Sequence, residues 1–184
     1  MKKKLAIVAG LKKNNMSVSK LLRKLFLAKR NILKKKYDRV LPLNELFTNR
    51  WEKAAYLGFG KGASIYDSSV VIGKVEVGEN TWIGPFTVLD GSGGLEIGSN
   101  CSISAGVQIY SHDSVEWAVT GGTAPYDYGE TKIGNNCYIG PNTIIVKSVN
   151  IGNNVIIGAN SFVNKDLESN TKYAGNPVKQ ITKE

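Results

Sequence analysis

His112 is the single histidine of the chain and stands in the run Tyr110-Ser111-His112-Asp113-Ser114. With an unperturbed pKa of about 6.5, an imidazole can take a proton near neutrality without a large shift. One histidine therefore suffices for general-base chemistry on a hydroxyl or amine. It does not suffice for a zinc site of the three-histidine type, so no metal is expected. Cys101 and Cys137 are the rival nucleophiles. Both occupy inward positions of a regular pattern, which reads as small buried core rather than a disulfide or a metal pair. Beyond His112, an irregular stretch carries Trp117, Tyr126 and Tyr128. These rings suit stacking on a sugar and suit contacts between protein copies equally well.

The scaffold that must position these groups shows itself as a period of six. Ile65, Val71, Val77, Ile83 and Leu89 lie six apart. After a slip of two residues Ile97, Ile103 and Ile109 resume the phase, and Ile133, Ile139, Ile145, Ile151, Ile157 and Val163 carry it on. Neither an α-helix nor a half-buried strand has this period, whereas a parallel β-helix does. At three hexads to a triangular coil, the expectation is an all-β solenoid of just under five coils. The position four after each aliphatic residue is usually small or β-branched, as at Ser69, Thr81, Cys101, Cys137 and Thr143. Gly and Asn between the aliphatics suit tight corners. No hexad fits between Ile109 and Ile133, so residues 115–132 are expected to leave the coil as a loop, with His112 at its root. Asn170–Pro177 is expected to end the repeat.

Charge divides the chain. Residues 1–61 hold 17 Lys and Arg against 3 Asp and Glu, and residues 62–184 hold 7 against 12. The first part is expected to be a basic, mainly helical segment and the second the solenoid. Between residues 17 and 37, Val18, Leu21, Leu22, Leu25, Ala28 and Ile32 fall on one helical face and the cations on the remainder. Such a helix can lie on an anionic membrane or pack its stripe on the solenoid. Nucleic acid is not expected as a partner, because no recognised motif or row of stacking aromatics accompanies the charge. A second short helix is expected over Leu43–Tyr56, with Asn44 as its cap. Lys2–Leu11 faintly resembles a leader, but its apolar run is short and lysines follow it. The location read from this is cytoplasmic, with the inner face of the membrane left open by the basic helix.

The run from Ile133 (IGNNCYIGPNTIIVKSVNIGNNVIIGANSFVNKD, then YAGNPVK) and the SHD before an excluded loop resemble the hexapeptide-repeat acetyltransferases. Within them the resemblance is to the branch of maltose, galactoside and surface-polysaccharide O-acetyltransferases, over residues 65–182. It implies a left-handed β-helix acting as a homotrimer, acetyl-CoA as donor, and direct transfer with His112 as general base. It further implies that Gly140 and Pro141 border the pantetheine arm, that Ala159, Asn164 and Lys165 lie further along it, and that Lys179 meets the CoA phosphates. Two lysines suit so anionic a ligand. Tyr138 stands where Trp is frequent in that branch, Gly84 where an acceptor-site Asn is typical, and Asn164 where Thr is common. A free monosaccharide acceptor is the feature these departures weaken.

Three classes of function follow. The first is an acetyl-CoA-dependent O-acetyltransferase acting on a sugar hydroxyl in surface glycan synthesis. The second is an N-acetyltransferase of a nucleotide-linked amino sugar. The third is a non-catalytic scaffold, in which His112 would be dispensable. The first is the reading adopted from the sequence.

Overall fold

The computed structural model describes residues 17–181, so Lys2–Leu11 and the last three residues lie outside the described part. The chain divides into two compact units at Phe47/Thr48, fourteen residues before the point suggested by charge.

The first unit is built on helix α1, Val18–Tyr37, which matches the expected span. Ser17 opens it, its hydroxyl accepting the Lys20 N–H at 3.4 Å. Asp38 closes it in the left-handed conformation, and Lys34, Lys35 and Lys36 sit where the helix dipole favours cations. The expected helix over Leu43–Tyr56 is broken in two. A 3-10 turn spans Asn44–Leu46 in the first unit, and helix α2 spans Arg50–Tyr56 in the second. Asn49, not Asn44, is the cap: its side-chain Oδ1 accepts the N–H groups of Trp51 at 2.9 Å and Glu52 at 3.4 Å. Taking up two orphan donors at once makes Asn49 the start of a new helix rather than the interior of an old one.

The second unit is the parallel solenoid that the hexads predict, consistent with left-handed winding. One face stacks Ser64–Ile65, Trp82–Ile83, Ser102–Ile103, Tyr138–Ile139, Ile156–Ile157 and Lys172–Ala174. The second face stacks Val71, Leu89, Ile109, Ile145 and Val163, and the third Val77, Ile97, Ile133, Ile151 and Leu167. Stacked partners such as Ile65 and Ile83, or Ile139 and Ile157, are three hexads apart, one coil. Their side chains fill the interior, and Ile65, Ile83, Leu89, Ile103, Ile109, Ile139, Ile145 and Ile157 are fully buried.

The repeat runs further than expected. Leu167 and Tyr173 are both buried, and Lys172–Ala174 forms a sixth rung in the stretch expected to end the pattern. Val163 to Leu167 is a step of four residues, which hides the continuation from a search by six. The buried Tyr173 ring is satisfied at its hydroxyl, which accepts the Glu168 N–H at 3.1 Å. The rung is then closed by the antiparallel pair Lys179–Gln180.

The fourth hexad position does more than stay small. Ser69 Oγ donates to the Gly84 carbonyl at 2.9 Å, Thr81 Oγ1 to Gly98 at 2.7 Å, and Thr143 Oγ1 to Gly158 at 3.1 Å. Cys101 Sγ and Cys137 Sγ do the same toward Gly134 and Gly152, each at 3.1 Å. Each small donor satisfies a corner carbonyl of the next coil, which a buried corner requires. The two free, buried cysteines are thus part of the core. At the corners Asn80, Asn100, Asn136, Asn142, Asn154, Asn160 and Asn170 all take positive φ. Phe86 takes φ 60° at an equivalent corner, where its ring is exposed.

Helix α2 caps the open end of the first coil. Lys53 Nζ donates to the carbonyls of Tyr66, Asp67 and Ser69 at 3.1, 3.0 and 2.9 Å, gathering one corner onto a single ammonium group. Lys53→Met should lower unfolding stability by about 2 kcal/mol, read as a lower urea midpoint at unchanged m-value.

Candidate active site

The second and third faces meet at the corner that carries His112. One coil earlier, the strand Val88–Ile97 runs through this corner without a break. Its segment Asp90-Gly91-Ser92-Gly93-Gly94 contains the two-residue slip of the repeat. A Cβ on Gly91 would lie 2.1 Å from the Lys74 carbonyl oxygen, and one on Gly93 would lie 2.2 Å from that of Ser111. Only glycine lets the coils approach this closely. The close approach places Asp90, whose side chain is 1% exposed, beneath the root of the loop.

Every lone-pair direction of that carboxylate is used. Oδ1 accepts the Ser92 N–H at 3.1 Å and the Ser92 hydroxyl at 2.6 Å. Oδ2 accepts the Ser111 N–H at 3.0 Å and lies 2.5 Å from His112 Nδ1. Burial taken alone would push this carboxyl up, but the hydrogen bonds from Ser92, Ser111 and His112 outweigh it and hold the group at about 2. At neutral pH Asp90 is therefore an acceptor only, so His112 carries its proton on Nδ1. Nε2 forms no hydrogen bond among the described residues.

The loop folds back over this pair. His112–Asp113 forms an antiparallel ladder with Asp127–Tyr128, His112 facing Tyr128 and Asp113 facing Asp127. The Tyr128 and Tyr126 rings stack near the imidazole, with centroids 5.8 and 6.2 Å away, and Trp117 meets Tyr126 edge-on at 5.6 Å. Lys147, one coil on, ion-pairs with Asp127 and approaches Asp113 at 3.4 Å, clasping both strands of the hairpin. Inside the excluded stretch, helix α3 spans Val115–Val119, and the coil resumes at Thr131.

A cleft of about 450 Å³ opens here, lined by Tyr110, His112, Asp113, Ser114, Val115, Val146 and Lys147. A larger groove, about 900 Å³, follows the corner between the third and first faces past Gly78, Gly98, Asn135 and Asn153. Size favours the groove, but it holds no histidine. The smaller cleft has an oriented base in its wall, with the Tyr126 and Tyr128 rings beside that base, and is the better candidate.

The anticipated residues fall on two different corners. Asn164 and Lys165 are exposed on the His112 corner, two coils beyond it. Gly140, Pro141 and Ala159 lie on the corner between the first and second faces, with Lys179 beyond them at the last rung. One protomer does not bring these two groups together. Gly140 also has a reason of its own, since a Cβ there would lie 2.5 Å from the Ala159 nitrogen. The sequence reading did not single out Asp90 or Lys147. The signal for Asp90 was the glycine-rich slip itself, where a lone carboxylate interrupts an aliphatic pattern.

The depressed Asp90 pKa makes a prediction for acid stability. A carboxylate held below its unfolded value near 3.8 stabilises the fold above that pH and loses the contribution as pH falls toward 2. About 2 kcal/mol should be lost between pH 4 and 2. The stability difference between the natural protein and Asp90→Asn, followed by denaturant titration, should narrow over that window.

Comparisons with known proteins find the same repeat and fold. The family described as bacterial transferase hexapeptide (six repeats) matches residues 130–165, and that described as hexapeptide repeat of succinyl-transferase matches residues 74–111. Protein CapG of Staphylococcus aureus is 46% identical over 88 residues, a match spanning 47% of this chain and 51% of CapG, about half of its length. Among solved structures, AntD is an N-acyltransferase from Bacillus cereus seen with dTDP and 3-hydroxybutyryl-CoA. It superposes with a TM-score of 0.60 at 30% identity, over 67% of this chain and 70% of AntD. A maltose O-acetyltransferase from Clostridium difficile 630 superposes with a TM-score of 0.57 at 28% identity, over 89% of this chain and 84% of that one.

Proposed function

Because this chain belongs to the hexapeptide-repeat transferases, we propose that it is an acetyl-CoA-dependent acetyltransferase whose acceptor is a sugar hydroxyl in surface glycan synthesis. The observation that carries this reading is the His112–Asp90 pair, 2.5 Å apart, with His112 in the wall of the cleft and its Nε2 without a hydrogen-bond partner among the described residues. A hydroxyl is a poor nucleophile until its proton is accepted as it attacks, and Nε2 is placed to accept it. The acceptor oxygen bonds to the thioester carbonyl carbon, the carbon–sulfur bond breaks, and the imidazolium returns the proton to the departing thiolate. Asp90 stabilises the imidazolium between these steps. The maltose O-acetyltransferase among the structural relatives supports a sugar and its hydroxyl.

The residues present suit a long polyanionic thioester. Lys165 and Lys179 are exposed and form no ion pair among the described residues, unlike Lys147, whose charge Asp113 and Asp127 already hold. Since Gly140, Pro141 and Ala159 lie one corner away from His112, Asn164 and Lys165, a complete donor site needs two copies. A homotrimer that sets one copy's first corner against the next copy's second supplies it. Trp117, Tyr126 and Tyr128 form the aromatic wall against which the acceptor sugar rests. No helix among the described residues is long and apolar enough to cross a membrane. We place the enzyme in the cytoplasm, at the membrane face when its acceptor is lipid-linked.

A second reading has its own support. AntD is an N-acyltransferase seen with dTDP, which favours an amine on a nucleotide-linked sugar. Transfer of labelled acetyl from acetyl-CoA to a mixture of lipid-linked glycans and sugar nucleotides, followed by mild base, separates the two. Ester label is released by base and is the expected result. Label that survives base means an amide and the amino-sugar reading. No transfer and no CoA binding would leave a scaffold.

A further inference from the structure

We propose that helix α1 is a docking surface for an anionic lipid bilayer, its apolar strip entering the headgroup layer and its cations meeting lipid phosphates. Over Val18–Tyr37 the chain has eight Lys and Arg and no Asp or Glu. At 100° per residue, most of the cations, among them Lys20, Arg23, Lys24 and Lys34, fall on one side. Val18, Leu22, Leu25 and Ile32 fall within an arc of about 80° on the other. Those four are 62%, 60%, 46% and 57% exposed, and the helix has no buried residue.

The flank of the helix is already used inside its own unit. Phe26 and Leu33 are half-buried, the Arg30 guanidinium covers the Phe26 ring at 4.1 Å, and Lys29 stands 6.0 Å from the Phe47 ring. Packing within the unit thus covers one edge and leaves the strip open. Val40 and Leu43, in the chain that follows the helix, are also open, at 62% and 60% exposure. Isolated exposed leucines are ordinary, but a strip of them backed by unopposed positive charge is not.

Charge selects the occupant. A second copy bringing its strip to this one would bring two acid-free cationic helices side by side, with like charges unrelieved. An anionic bilayer relieves both features at once, because it takes the apolar side chains into its interface and neutralises the cations around them. Lys29 and Lys36 lie on the apolar arc and reach the headgroups with their long stems. Membrane docking by helix α1 does not depend on acyl transfer, so either can fail alone.

The test is flotation of the full-length protein with vesicles of phosphatidylcholine alone or with roughly 30% phosphatidylserine, at low salt and at about 0.5 M salt. Recovery with the anionic vesicles, loss at high salt and none with neutral vesicles are expected. Combined Lys20→Glu, Arg23→Glu and Lys24→Glu should weaken partitioning at least about 100-fold. Leu25→Glu should also weaken it, with thermal midpoint, oligomeric mass and transfer to a soluble acceptor unchanged. Absence of flotation at low salt, or charge-reversed protein that binds equally, overturns the proposal. So does a Leu25→Glu variant with a lowered thermal midpoint or altered mass, since the strip would then be packed within or between copies. Tighter retention by a DNA or RNA duplex than by the vesicles also overturns it.

Discussion

His112→Ala is expected to lower kcat for acyl transfer by about 10³-fold, with KM for acetyl-CoA and the thermal midpoint close to those of the natural protein. The size follows from what is lost. Nε2 is the one free base on the cleft wall among the described residues, and the alternatives are spoken for. Asp90 is buried and engaged by Ser92, Ser111 and His112. Lys147 is a cation held by Asp113 and Asp127, and Cys101 and Cys137 are buried in the coil. Without a base the acceptor hydroxyl must lose its proton to water, and the rate falls by the usual contribution of a positioned base. The fold should tolerate the change because His112 is partly exposed and the coil packs on Ile109 and Thr131, not on the imidazole. A steady-state comparison with acetyl-CoA as the varied substrate measures it. Undiminished turnover would remove His112 from the chemistry.

Asp90→Asn should be nearly as severe for kcat, about 10²-fold or more, and should also cost about 2–3 kcal/mol of stability. The carboxylate faces two donors on each oxygen: both Ser92 groups on Oδ1, and the Ser111 N–H and His112 Nδ1 on Oδ2. An amide has one oxygen, so whichever way Asn turns, its NH2 meets two donors. If the NH2 faces His112, the imidazole can relieve the clash only by moving its proton to Nε2. It then has no lone pair for the acceptor. If the NH2 faces Ser92, the Ser92 N–H loses its acceptor and the hydrogen bonds from Ser92 that hold the Gly91–Gly94 turn are lost. Either arrangement leaves buried polar groups unsatisfied, which is why stability falls together with rate. Urea unfolding and kcat measured on one preparation test both parts. A variant with normal stability and normal turnover would show that Asp90 neither orients His112 nor anchors the turn.

Much of this was legible in the chain. A period of six has no other common structural meaning, so Ile65 to Val163 specified a parallel solenoid without reference to any long-range contact. The break between Ile109 and Ile133 announced the excursion, and the solitary histidine at its root was the natural candidate base. Helix α1 was legible for a similar reason, because its amphipathic pattern and its Ser17 cap are both local. Asn49 was missed as a cap because Asn44 lies in an equally plausible context, and only the paired hydrogen bonds to Trp51 and Glu52 distinguish them.

What could not be read was whatever depends on how irregularities stack. Leu89 and Ile109 are partners twenty residues apart rather than eighteen, because the slip at Asp90–Gly94 is absorbed in the corner. That displacement, and the near-contact of Gly93 with the Ser111 carbonyl, set Asp90 under His112 across twenty-two positions of sequence. Tyr126, Tyr128 and Lys147 reach the same corner because an excluded loop pairs back on its own root and is clasped from the next coil. The division of Gly140, Pro141 and Ala159 from His112 is likewise invisible in a linear motif, since adjacent hexads lie on different faces. A repeat states its period locally, residue by residue. Its register across coils is settled only when buried carboxylates, corner carbonyls and side-chain volumes must be satisfied together in three dimensions.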